Sequence, residues 1–138
     1  RDQVKAIKEG ICDLSLGNSY YLGKMLQDEE QKTWADAVYI NFPNQKDRGA
    51  HVNVSGVVLT KYAKNKDAAV KLMEYLSANK AQQMYAELNM EYPVKTGVAP
   101  SKLVASWGEF KADTLPIAQI ASYRKQAITL IDKVKFDL

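Results

Sequence analysis

Strand-type and helix-type patterning alternate along this 138-residue chain, and that alternation makes it an α/β protein. Two observations carry the assignment. Cys12, Leu14 and Leu16 alternate with Asp13 and Ser15, a two-residue period that gives a strand one apolar face. Ala69, Leu72, Met73 and Leu76 recur at i, i+3, i+4 and i+7, the stripe a helix buries, and Ala81, Met84, Tyr85 and Leu88 repeat it one helix later.

The remaining elements follow in chain order. Val4, Ile7 and Ile11 stand at helical spacing, and Gly10 can end that helix in a left-handed conformation. Arg1-Asp2-Gln3-Val4 leads straight into the helical pattern, as though the chain began inside an element, so a piece of something longer is expected. After the Cys12–Leu16 strand, Gly17-Asn18-Ser19 breaks the chain, and Asn18 or Ser19 can cap a helix carrying Tyr20, Tyr21, Lys24 and Met25. Ala37–Phe42 reads as a second strand stopped by Pro43-Asn44, followed by a polar loop to Gly49. Val52, Val54 and Val57-Val58-Leu59 form a third strand region, with Gly56 as a bulge or a close backbone approach. Ser77 or Asn79 separates the two central helices, and Glu91–Val94 is extended because the residue before Pro93 avoids the helical region. Ser101–Ser106 reads as a short helix before Gly108. Pro116 opens one last helix, striped by Ile117, Ile120, Ala121, Ile128, Ile131 and Val134.

Composition narrows the class. Hydrophobic residues at 46% and charged ones at 25% are ordinary globular values, which excludes disordered, collagen-like and coiled-coil chains. No apolar run approaches the roughly 20 residues that span a bilayer, and no charged-then-apolar leader opens the chain, so membrane insertion is not expected. The net charge of +3 is spread among acidic residues without a basic stripe, which argues against a nucleic-acid partner. The single Cys12 excludes an internal disulfide framework and a cysteine-rich metal site; in its apolar run a buried, inert thiol is expected, or a disulfide to sequence upstream.

The chemistry concentrates at Tyr20 and Tyr21, between a strand end and a helix start, which is where α/β folds place ligands. Phenols rarely ionise unaided, but a strongly charged cation can replace their protons. Phenolate oxygen is a hard anionic donor, and two in succession can present two such oxygens at one mouth. The ordinary alternative is an aromatic pair that packs against a core or rims an interface.

Several longer stretches carry a family resemblance. DLSLGNSYYLGKM (13–25), GAHVNVSGVVLTKYAKNKDAAVKLMEYL (49–76), MEYPV (90–94) and LPIAQIASYRKQAITLIDKVKF (115–136) keep order and spacing with the periplasmic ferric-ion-binding proteins of bacterial iron ABC transporters. The chain resembles the C-terminal portion of such a protein, somewhat under half of it. The resemblance implies a two-lobed type II periplasmic binding protein that closes on Fe(III), with Tyr20 and Tyr21 as metal ligands. It implies further ligands from sequence upstream, and a synergistic anion such as carbonate or phosphate in which Asn18 has a part. At a helix start Asn18 has an equally simple reading as a plain cap. The implied partners are an inner-membrane ABC permease and, for completion of the fold, the N-terminal part of the same protein or a second copy. The implied division is 1–50 in the lobe of the tyrosine pair, 51–101 in the other lobe, and 102–138 returning to the first.

Other residues weigh less. His51, the sole histidine, suits a structural or supporting role; Glu91 and Tyr92 suit packing or a hinge; Arg48 reads as solvated, and Trp34 and Trp107 as partial core. A hydrolase would need a nucleophile beside a base, and neither Ser19 nor Ser55 lies in a nucleophile-elbow motif, so no enzyme is expected. The rival function is a binding protein of the same fold for a non-metal solute such as an oxyanion, a polyamine or a sugar.

Overall fold

The computed structural model describes residues 1–136, so Asp137 and Leu138, the end of the expected 102–138 segment, lie outside the described residues. The elements are α1 (Asp2–Lys8), α2 (Ser19–Met25), α3 (Glu29–Ala35), α4 (Lys66–Leu76), α5 (Asn79–Asn89), α6 (Lys102–Ala105), α7 (Ile117–Ser122) and α8 (Arg124–Val134). The described residues divide into two compact units, Arg1–Asn41 with Asn53–Glu109, and Phe42–Val52 with 110–136.

Within the first unit, α1 ends as the sequence predicts, with Gly10 at φ 72°. α2 buries Leu22, Gly23 and Met25. Leu22 and Met25 pack with Ala35 of α3, and Val4, Leu26, Trp34, Val38 and Ile40 close around them. α3 is an element that the apolar pattern does not announce. Its start is built by Asp28, whose side chain accepts from the N–H groups of Glu30 and Gln31, with Glu29 and Glu30 in the first turn.

α4 and α5 form where their stripes predict. Ser77 ends the first, and Ala78, not Asn79, stands before the second. The buried Gln82 ties this region together: its Nε2 donates to the Leu76 carbonyl at 2.8 Å and its Oε1 accepts from Val94 N–H at 2.9 Å. The 91–94 segment is thereby held against α5. α5 stops at Met90, which is buried and left-handed at φ 59°. α6 opens on Ser101, whose hydroxyl accepts from Val104 N–H at 3.3 Å.

Three sequence expectations change here. Among the described residues, none of the three strand-patterned segments (12–16, 37–42, 52–59) joins a ladder, and the only β pairing is a parallel bridge between Ala50 and Ala112. A period-two pattern fits a segment for a sheet but cannot supply the neighbour that its N–H and C=O groups require. Leu14 accordingly stays 77% exposed. Cys12 is half-buried rather than buried, with Sγ 4.0 Å from the Gln3 carbonyl oxygen. The stripes of α4 and α8 are open as well: neither helix holds a buried residue, and Leu72 and Ile128 are about half exposed.

In the second unit, Phe42 and Phe110 stack with centroids 4.4 Å apart. Gln45 clasps the backbone of Lys111, accepting from its N–H at 2.7 Å and donating to its carbonyl at 3.2 Å. Ala50 N–H donates to the Lys111 carbonyl, and Asp113 N–H donates to the Ala50 carbonyl, both at 2.8 Å. Gly49 makes this approach possible: its φ is 95°, and a Cβ there would meet the Lys111 oxygen at 2.6 Å. Arg48 stays exposed, as expected of a loop cation, and also pairs with Asp113 at 3.1 Å. The expected single last helix is two. Tyr123 stands between them, with its N–H turned to the Ile120 carbonyl three residues back.

Candidate metal centre

α2 starts at Ser19, so Tyr20 and Tyr21 occupy its first turn. The helix is seated from below by Gly23, one turn on from Tyr20. A Cβ at Gly23 would lie 2.6 Å from both Cβ and Cγ of Met90 and 3.3 Å from Cη2 of Trp107. Only glycine lets α2 approach the end of α5 this closely. The tyrosine pair is thus carried on a helix pinned at its buried face, while the phenols stand at the rim. Tyr20 is half-buried and Tyr21 is 44% exposed.

The two rings are adjacent and tilted, with centroids 4.4 Å apart and planes at 45°. The hydrogen bond with Tyr21 is the main reason that Tyr20 holds its proton above the ordinary phenol range. Desolvation and the charge of Tyr21 act in the same direction, as does the carboxylate of Glu91. The amide of Asn18 opposes them: its Nδ2 stands 3.5 Å from the Tyr20 hydroxyl and favours the ionised form. Lys24 adds a cation 5.8 Å from the centroid of the Tyr20 ring.

Asn18 occupies the cap position, at φ −76° and ψ 135°, yet its side chain caps no N–H. It is engaged elsewhere: Nδ2 faces Tyr20, and Oδ1 accepts from Nδ2 of Asn53 at 3.2 Å. Asn53 is a site residue that sequence reasoning missed. It lies 35 residues away in a strand-patterned run, and nothing in its local pattern marks it. Glu91, expected only in a packing or hinge role, enters the electrostatics of Tyr20. His51 belongs to the second unit, where it lines a cavity of about 450 Å³ with Arg48, Asp113, Tyr123 and Arg124. Among the described residues no three His, Cys, Asp or Glu side chains gather as a metal-ligand cluster.

The model of the bacterial extracellular solute-binding protein family matches residues 4–112. The chain belongs to this family. Iron uptake protein A1 of a Synechocystis strain is 48% identical over 120 residues, 86% of this chain and 33% of that protein. The open conformation of ferric iron-binding protein A from Mannheimia haemolytica superposes with a TM-score of 0.91 at 60% identity, covering 99% of this chain and 43% of that one. A Trichodesmium protein solved with iron and citrate ligands superposes with a TM-score of 0.90 at 41% identity, covering 96% of this chain and 43% of that one. The chain therefore spans about a third of the curated relative and 43% of the solved ones. The ferric-binding proteins are two-lobed type II periplasmic binding proteins, and the chain carries part of that α/β fold. These relatives are named for iron uptake or ferric binding, not for catalysis. Among the described residues no helix is long and apolar enough to cross a membrane.

Proposed function

We propose that the protein to which this chain belongs is the periplasmic solute-binding component of an ABC importer, taking Fe(III) between the phenolates of Tyr20 and Tyr21 and passing it to an inner-membrane permease. The observation that carries this reading is the adjacent, tilted phenol pair on a pinned helix turn, in a chain of the solute-binding family whose relatives are named for ferric iron. Tyr21 opposes ionisation of Tyr20, so Tyr20 keeps its proton until a cation arrives to hold its oxygen. Fe(III) supplies that charge and displaces two protons. The amide of Asn18, facing Tyr20, stabilises phenolate over phenol and can also hold a synergistic anion such as carbonate or phosphate. Two phenolates fill two positions of the metal; the rest belong to that anion, to water and to ligands from outside this chain.

Titration of the intact protein with ferric citrate tests the reading. A phenolate-to-iron absorption band that grows to one equivalent is expected. A protein that stays colourless while binding an oxyanion or a polyamine would replace the ferric reading with that of a non-metal solute carrier.

A further inference from the structure

Asn53 and Asn18 form a chain of amides that ends on a candidate iron ligand. Asn53 Nδ2 donates to Asn18 Oδ1 at 3.2 Å, and Asn18 Nδ2 stands 3.5 Å from the Tyr20 hydroxyl. An asparagine amide has one accepting and one donating end, so engaging the oxygen decides which end is left for a neighbour. With its Oδ1 occupied by Asn53, Asn18 presents N–H to Tyr20. Turned over, it would present a carbonyl oxygen to a phenolate and repel it. Neither local backbone nor capping fixes the choice, because the Asn18 side chain bonds no N–H of α2. Asn53 reaches it from 35 residues along the chain.

We infer that Asn53 is a positioning residue for the metal centre, holding the Asn18 amide with its N–H toward the Tyr20 oxygen that is offered to iron. The inference rests on the ferric reading above and adds to it a residue that touches neither metal nor phenol. An N–H directed at a phenolate oxygen lowers the filled orbital from which charge transfer to iron departs. Loss of that contact moves the visible band to longer wavelength and loosens the metal.

The test compares iron-loaded intact protein with N53A, N53D, N18A and the N18A/N53D double variant, with far-UV circular dichroism as the check on folding. N53A is expected to shift the band to longer wavelength and to release iron to a competing chelator roughly three- to tenfold faster, the scale of one net hydrogen bond. N53D is expected to do more, because a carboxylate only accepts and draws the Asn18 N–H away from Tyr20. N18A is expected to shift the band in the same direction, and adding N53D to N18A is expected to leave it there. An N53D band identical to wild type would overturn the inference. So would an N53D shift of equal size with and without Asn18, since that would be the new charge acting directly on the iron. A colourless wild type would remove the ferric reading and this inference together, whereas a coloured wild type indifferent to Asn53 removes the amide chain alone.

Discussion

Replacing Gly23 by alanine sets two measurable effects against each other. A glycine in a helix interior costs about 1 kcal/mol relative to alanine, so on propensity alone Gly23→Ala stabilises α2. Packing opposes it. The added Cβ would sit 2.6 Å from Cβ and Cγ of Met90, about 1 Å short of the 3.4–4 Å of ordinary contact. Met90 Cγ can swing aside, but its Cβ is fixed to a buried left-handed residue that ends α5, and Trp107 stands 3.3 Å away. Relief therefore requires movement of backbone, and over-packing of this kind costs about 1–3 kcal/mol. The net expectation is destabilisation by about 1 kcal/mol, read as a lower urea midpoint for the intact protein. Gly56→Ala is the control, since nothing lies within 4 Å of that position and it is outside a helix. Because Tyr20 lies one turn before Gly23 on the same helix, the iron band of Gly23→Ala should also weaken. A variant more stable than wild type by about 1 kcal/mol, with an unchanged band, would refute the claim that close approach to Met90 seats the tyrosine helix.

Further predictions concern protons and completeness. Ligation through two phenolates should release two protons, so iron affinity falls by about 100-fold for each pH unit of acidification, about 2.7 kcal/mol; Tyr20→Phe should reduce the slope by one proton. In the metal-free protein the upward shift of the Tyr20 pKa favours folding below the ordinary phenol pKa, and that contribution is lost as pH rises through the raised value; Tyr21→Phe should bring the Tyr20 titration back down in a tyrosine-ring NMR titration. Residues 1–138 produced alone should self-associate and bind ferric ion far more weakly than the intact protein, because the chain covers 43% of a solved relative and leaves Leu72, Leu88 and Ile128 exposed. Light scattering with ferric titration would show it; a monomer with the iron affinity of the intact protein would count against the incompleteness.

The features that proved legible in the sequence were those with a local cause. α4 and α5 carry apolar stripes, α6 carries a serine cap and a following glycine, and Gly10 ends α1. α3 has a cap and two first-turn carboxylates but no strong stripe, and a reading led by apolar periodicity passes over it. The strand-patterned segments show the reverse failure, since alternation is local but pairing needs a neighbour that the described chain does not supply. The break at Tyr123 interrupts a stripe that continues through it in sequence.

The candidate site divides in the same way. Tyr20 and Tyr21 stand out because they are adjacent, and Asn18 because it precedes a helix. The use of Asn18 was not legible: it stands at the cap yet turns its amide to Tyr20, drawn by an Asn53 that no spacing rule connects to it. Gly23 carries no local mark of its close approach to Met90.

The measurement that bears most directly on the account is a ferric titration of the intact protein beside its Y20F/Y21F double variant. Wild type is expected to develop the phenolate-to-iron band, and the variant to show none while its far-UV circular dichroism stays unchanged. A band that survives in the double variant at wild-type strength would mean that other residues ligate the iron, and would contradict the assignment of Tyr20 and Tyr21.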